Sequence, residues 1–148
     1  MNKSAFLDIT LFLFVLLFLY TGTIKVIDHT TFVNAIKKSD QLRSYAPVIS
    51  IVVPLGELLT VLALLIPRFR RLGMYSFLIM MAIFTVYVGI MLYFRSDRPC
   101  TCGGIIQQMN WHQHFYFNSA FTMLAAISLW LDKKINKNAQ SLIKVLYN

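Results

Sequence analysis

Long apolar runs broken by short polar segments dominate the chain, and four of them stand out: about Ala5–Ile27, Pro47–Ile66, Leu72–Phe94 and Phe115–Leu131. A hydrocarbon core about 30 Å thick needs roughly 20 apolar residues per helix. The pattern therefore predicts four membrane-spanning helices. The second and third runs are separated only by Pro67-Arg68-Phe69-Arg70-Arg71, which allows nothing but an antiparallel hairpin. Pro47 suits a first helical turn, and Pro54 is expected to bend the second helix further along. The third run carries no charge and ends on Tyr87, Tyr93 and Phe94, which suit a membrane interface. The expected fold is all-α, an integral membrane four-helix bundle with up-down topology, forming a single domain over residues 1–148.

Little chain remains outside the runs. The longest connections are Asp28–Ala46 and Arg95–His114, and residues 132–148 make a short basic tail with Lys133, Lys134, Lys137 and Lys144. Gly103-Gly104 permits a tight turn with positive φ, and Ile105–Met109 is expected to form a short amphipathic surface helix. Lys3 ahead of an apolar run has the look of a signal peptide. The run continues to Ile27, however, and Tyr20-Thr21-Gly22-Thr23 lacks an A-x-A-like cleavage site, so the segment is read as a retained first helix.

Composition supports this picture, because 57% hydrophobic and 14% charged residues are far too apolar for an ordinary soluble domain. A net charge of +8 suggests nucleic acid in a soluble protein. Here the basic residues flank membrane helices instead, and no nucleic-acid partner is expected. Lys3, the Arg68/Arg70/Arg71 turn and the four tail lysines make eight on one face; Lys25, Lys37, Lys38, Arg43, Arg95 and Arg98 make six on the other. The densest cluster is the three-arginine turn, whereas the opposite loops are diluted by Asp28, Asp40 and Asp97. Both termini are therefore expected in the cytoplasm and the Arg95–His114 loop outside.

That loop holds both cysteines, in Pro99-Cys100-Thr101-Cys102-Gly103-Gly104. A Cys-x-Cys disulfide closes a small ring and should be strained, and strained disulfides exchange readily. Arg95 and Arg98 would favour a thiolate beside them. In a bacterium the loop would face an oxidising compartment. The expected chemistry is thus thiol–disulfide exchange, as an oxidoreductase or an accessory subunit. Two rival readings stay open. Cys100, Cys102, His112 and His114 form a donor set of the kind zinc or copper takes, although C-x-C and H-x-H depart from the usual structural zinc spacing. A transporter or assembly subunit would instead depend on Glu57 and Lys25.

The remaining polar residues point into the bundle. His114, Asn118 and Thr122 recur at i, i+4 and i+8 and form one stripe, suited to proton handling by His114 and ligand orientation by Asn118, or simply to interhelical hydrogen bonding. His112 points elsewhere on such a helix. Trp111 reads as an interfacial anchor that would also suit the roof of a pocket. Glu57 sits near the middle of the second run, where a carboxylate marks either a functional site or a buried pair. Its candidate partner is Lys25, placed roughly 10 Å nearer the outer surface by a rise of ~1.5 Å per residue. Long side chains or helix tilt must close that gap, or else Tyr20 or Thr21 is nearer.

Taken in order, Tyr20-Thr21-Gly22-Thr23-Ile24-Lys25 with Asp28 and Phe32, Pro54-x-Gly-Glu57, Cys100-Thr101-Cys102-Gly103-Gly104 and Trp111-x-x-His114-x-x-x-Asn118 resemble the MauE/DoxX-like redox-associated membrane proteins. The resemblance implies a bacterial inner-membrane four-helix protein linked to disulfide formation, in the MauE case for maturation of a periplasmic dehydrogenase subunit. In outline the chain is also similar to the vitamin K epoxide reductase bundle, in which quinone accepts electrons from a periplasm-facing cysteine pair. It departs from that enzyme in having C-x-C for C-x-x-C and in lacking a second, shuttling pair. Electrons would therefore leave through a bound quinone or through a periplasmic thioredoxin-like or disulfide-containing partner, with membrane lipid surrounding the whole.

Overall fold

The computed structural model describes residues 3–39, 42–94 and 110–146. Five α-helices account for nearly all of them: α1 (Lys3–Ile27), α2 (His29–Lys37), α3 (Ala46–Leu65), α4 (Arg70–Phe94) and α5 (Trp111–Leu146). Single 3₁₀ turns, Arg43–Tyr45 and Pro67–Phe69, lead into α3 and α4. No strand occurs among the described residues.

Three stretches, Ala5–Ile27, Arg43–Leu65 and Pro67–Tyr93, are long and apolar enough to cross a membrane. Their packing is inside-out relative to a soluble protein. Phe12, Leu16, Ile51, Leu55, Leu62, Ile79 and Ile83 are all more than half exposed, while Glu57, Thr60, Ser50, Thr10 and Ser128 are buried. A surface of leucine and isoleucine over an interior that holds a carboxylate and hydroxyls suits lipid as the solvent. The interior is packed with large side chains as well: Phe14 stacks on Phe77 at 4.1 Å, Phe18 lies 4.4 Å from Phe77, and Met74, Met81, Val61 and Leu64 fill in around them.

The long helices contact in the cycle α1–α3–α4–α5, with α5 returning more sparsely to α1. Each seam of this cycle has a polar side-chain bond across it. Lys25 on α1 reaches Glu57 on α3, Thr60 on α3 meets Ser76 on α4 at 2.7 Å, Thr85 on α4 meets Thr122 on α5 at 3.0 Å, and Ser128 on α5 donates to Thr10 on α1 at 3.2 Å. Apolar contact alone does not drive helices together in lipid, so such bonds help define neighbours, at about 0.6 kcal/mol each. The hydroxyls also satisfy themselves locally, as when Thr85 donates to the Met81 carbonyl.

The hairpin between α3 and α4 is tight because Gly73 permits it. A Cβ there would lie 2.7 Å from the Leu64 nitrogen and 3.0 Å from the Ala63 carbonyl carbon, so the two backbones touch.

Two features differ from the sequence expectation. The Asp28–Ala46 connection contains α2, a nine-residue helix that buries Ala35 and Ile36 and leaves His29, Thr30, Thr31 and Lys37 exposed. Helix α5 also continues well past Leu131, through the basic segment to Leu146, with Asp132 accepting from Arg71 at 2.8 Å. The apolar run ends near Leu131 because hydropathy falls there, but lysine, alanine, glutamine and leucine are good helix formers that carry the helix on.

Candidate functional site

All five helices contribute to one cavity of about 190 Å³. Its polar lining is Thr21 and Lys25 from α1, Glu57 from α3, Tyr87 from α4, and Trp111, His114 and Asn118 from α5. Phe32, Ala35 and Ile36 of α2 close another side, and Phe18, Val53, Phe84 and Phe117 supply apolar wall.

The Lys25 ammonium lies 2.6 Å from Glu57 Oε1, with the lysine side chain 14% exposed and the glutamate 1%. The same ammonium sits 5.7 Å from the ring centroids of both Phe32 and Phe84. Carboxylate and aromatic faces together replace the hydration that the cation has lost. The separation along the helices is closed by the close approach of α1 and α3 at Gly22, where an added Cβ would come within 3.3 Å of both Glu57 and Leu58. Thr21, the alternative neighbour of Glu57, donates its hydroxyl to the Leu17 carbonyl at 3.0 Å. Glu57 Oε2 is left buried with no hydrogen-bond partner among the described residues.

Helix α5 delivers the other side of the site, and its start is held by a reciprocal cap. Asn110 N–H donates to Gln113 Oε1 at 3.0 Å, and Gln113 N–H donates to Asn110 Oδ1 at 2.9 Å. This is a capping-box arrangement with asparagine at the N-cap. It sets the register in which positions 111, 114 and 118 share one face. His114 is partly buried, with both ring nitrogens unpartnered among the described residues, and burial holds its imidazole below the ordinary histidine pKa. It stands one residue outside the Phe115–Leu131 run. Asn118 is 6% exposed.

Five sequence-predicted residues thus meet in one place: Lys25, Glu57, Trp111, His114 and Asn118. Thr122, the third member of the α5 stripe, is instead bonded to Thr85 and to the Asn118 carbonyl. His112 is exposed and away from the cavity lining. Cys100, Cys102, Arg95 and Arg98 lie outside the described residues, as does the expected Ile105–Met109 helix. Among the described residues no group of three or more His, Cys, Asp or Glu side chains gathers to hold a metal.

Sequence reasoning does not place Phe84 and Tyr87 in the site: Phe84 is one apolar residue among many, and Tyr87 reads as an interfacial aromatic. The roof formed by α2 had a signal: Phe32, Ala35 and Ile36 follow i, i+3, i+4 spacing.

An all-helical membrane protein with a charged pair buried beside an apolar cavity is the class these features define. The chain belongs to the MauE family: the model of the methylamine utilisation protein MauE matches residues 3–131. No curated protein and no solved structure matches the chain.

Proposed function

We propose that this MauE-family protein is a four-span bundle of the bacterial inner membrane, with both termini cytoplasmic, that performs thiol–disulfide exchange through a periplasm-facing Cys100-Thr101-Cys102 loop. Helix α5 supplies the fourth span through residues 115–131. The observation that supports this reading is that the cavity is lined by residues of the two helices that the cysteine segment connects in sequence. In sequence that segment joins α4 to α5, and Tyr87 and Val88 from the second half of α4 line the cavity with Trp111 and His114 from the start of α5 and with the buried ion pair. The charge bias of the loops supports the orientation.

In the oxidising direction, a partner thiolate attacks one sulfur of the Cys100–Cys102 disulfide and forms a mixed disulfide while the other cysteine leaves as thiolate. A second partner thiolate then displaces the first cysteine, so the partner is oxidised by two electrons and the loop becomes a dithiol. His114, whose imidazole burial holds below the ordinary histidine pKa, is suited to deprotonate an attacking thiol and, as the imidazolium so formed, to return that proton to the leaving thiolate. Arg95 and Arg98 stabilise the thiolate form. Reoxidation passes two electrons and two protons to a quinone held among the helices or to a thioredoxin-like partner. A periplasmic protein whose cysteines must be paired is the client this chemistry serves.

The test is alkylation of intact cells with a membrane-impermeant maleimide before and after mild reduction, followed by mass measurement. Labelling of both cysteines only after reduction is expected. Two freely labelled thiols, or thiols released only by a chelator, would overturn the redox reading.

A further inference from the structure

The cavity itself has a composition that selects a ligand. Its two full charges, Lys25 and Glu57, neutralise one another at 2.6 Å, so neither an anion nor a cation finds an unmatched partner there. Its walls are largely aromatic and apolar, with Phe32, Phe84, Phe117 and Trp111 among them. Yet Glu57, almost wholly buried, keeps one carboxylate oxygen without a hydrogen-bond partner among the described residues, and His114 keeps both ring nitrogens so. A buried carboxylate oxygen with no donor is costly, and a group that donates to it recovers that cost. The volume is also informative: an apolar cavity of roughly 150 Å³ holds a single benzene ring, and this one is about 190 Å³.

We propose that the cavity binds a neutral, flat aromatic molecule bearing a hydroxyl group, a phenol or hydroquinone in chemical class. The hydroxyl donates to Glu57 Oε2, the ring lies among Phe32, Phe84 and Trp111, and His114 bonds a second oxygen where the ligand has one. The ligand class suits the in-bundle route of electron exit given above and rests on that reading for its biological use only; binding itself needs no cysteine chemistry.

Full-length protein carrying Trp130→Phe in phosphatidylcholine nanodiscs tests this, because the chain has two tryptophans and Trp111 is then the sole reporter. 1-Naphthol and naphthalene are titrated separately against Trp111 emission, with empty nanodiscs correcting for partition into lipid. Saturable quenching by 1-naphthol is expected, roughly ten-fold tighter than by naphthalene, since a hydrogen bond to a charged acceptor is worth about that factor. Glu57→Gln should reduce the preference to below about two-fold. Adding Cys100→Ser and Cys102→Ser should leave naphthol binding unchanged, so thiol exchange and ligand binding stand or fall independently. Quenching that only follows lipid partition, equal affinity for the two probes, or an undiminished preference in Glu57→Gln overturns the proposal. Should Glu57→Gln fail to fold, Ile36→Trp fills the cavity from α2 and must abolish binding of both probes; retained binding overturns the proposal equally.

Discussion

Lys25 and Glu57 stand 32 residues apart in sequence and form a 2.6 Å ion pair that joins α1 to α3 inside an apolar bundle. The pair is closed off from water on the glutamate side and stacked against two phenylalanine rings on the lysine side. Removing one partner strands the other charge, whereas removing both leaves only a shape to fill. Lys25→Met alone or Glu57→Leu alone should therefore cost about 3–5 kcal/mol of stability, and the double substitution much less than either. Thermal unfolding of the three variants in nanodiscs checks this; a double variant as unstable as the sum of the singles would mean that the two side chains act independently.

The close approaches of α1 and of α4 to α3 depend on two glycines with different surroundings, Gly22 on α1 and Gly73 on α4. At Gly22 the nearest neighbours of an added Cβ are side-chain atoms of Glu57 and Leu58 at 3.3 Å, which can yield by a few tenths of an ångström. At Gly73 they include the Leu64 nitrogen at 2.7 Å and the Ala63 carbonyl carbon at 3.0 Å, and backbone of a packed hairpin cannot yield. Gly73→Ala is expected to cost about 2–3 kcal/mol and Gly22→Ala about 1 kcal/mol, within the range for overpacking. Unfolding in the same nanodiscs ranks them, and the reverse order would show the α1–α3 contact to be the tighter one.

Three of the membrane-length helices, and Glu57, His114 and Asn118 of the cavity, are legible in the sequence because each stands out from its background. Glu57 is conspicuous in an apolar run, and His114 and Asn118 share a helical face. The partnership of Lys25 with Glu57 was only half legible, since helix rise placed them at different depths and the sequence does not disclose the close approach at Gly22 that side-chain reach exploits. Helix α2 is hard to see in the sequence because its apolar face is only Phe32, Ala35 and Ile36, within nine residues that are otherwise largely polar. The aromatic wall from α4 carries little signal: Phe84 is one of many apolar residues on a helix whose only polar neighbour there, Thr85, bonds to Thr122 instead, so nothing marks the inward ring. The cysteine loop is the reverse case, conspicuous in sequence and outside the described residues.

Asn110 and Gln113 satisfy each other's backbone N–H groups at the start of α5. Asn110→Ala removes one arm of that exchange and should destabilise the first turn by about 1 kcal/mol. Because Trp111 and His114 stand in that turn, amide hydrogen exchange at residues 111–114 should accelerate several-fold while α3 and α4 keep their protection. Acceleration spread evenly through the protein would show the cap to be a global rather than a local element.

Burial holds the His114 imidazole below its ordinary pKa, with the nearby Lys25 charge acting in the same direction. The unfolded chain therefore binds a proton more readily than the folded one. By linkage, the folded state loses stability as pH falls through the unfolded histidine value of about 6.5, and the loss continues until the folded pKa is reached. Above that value the group contributes no pH dependence. The wild-type protein should thus unfold more easily at pH 5.5 than at pH 7.5, and the part of that difference due to His114 should vanish in His114→Gln. An unchanged pH slope in the variant would place the sensitivity elsewhere.

The cysteines and the buried pair make separable demands on function. If Cys100 and Cys102 carry the chemistry, replacing both by serine should abolish complementation in a strain that depends on the protein, without affecting membrane abundance or thermal stability, because thiol and hydroxyl differ little in size while only the thiolate exchanges with disulfides. Glu57→Gln, by contrast, should reduce complementation together with stability, since it alters the joint between α1 and α3. Full complementation by the double-serine variant would remove thiol exchange from the mechanism and leave the cavity with its ion pair as the working part of the molecule.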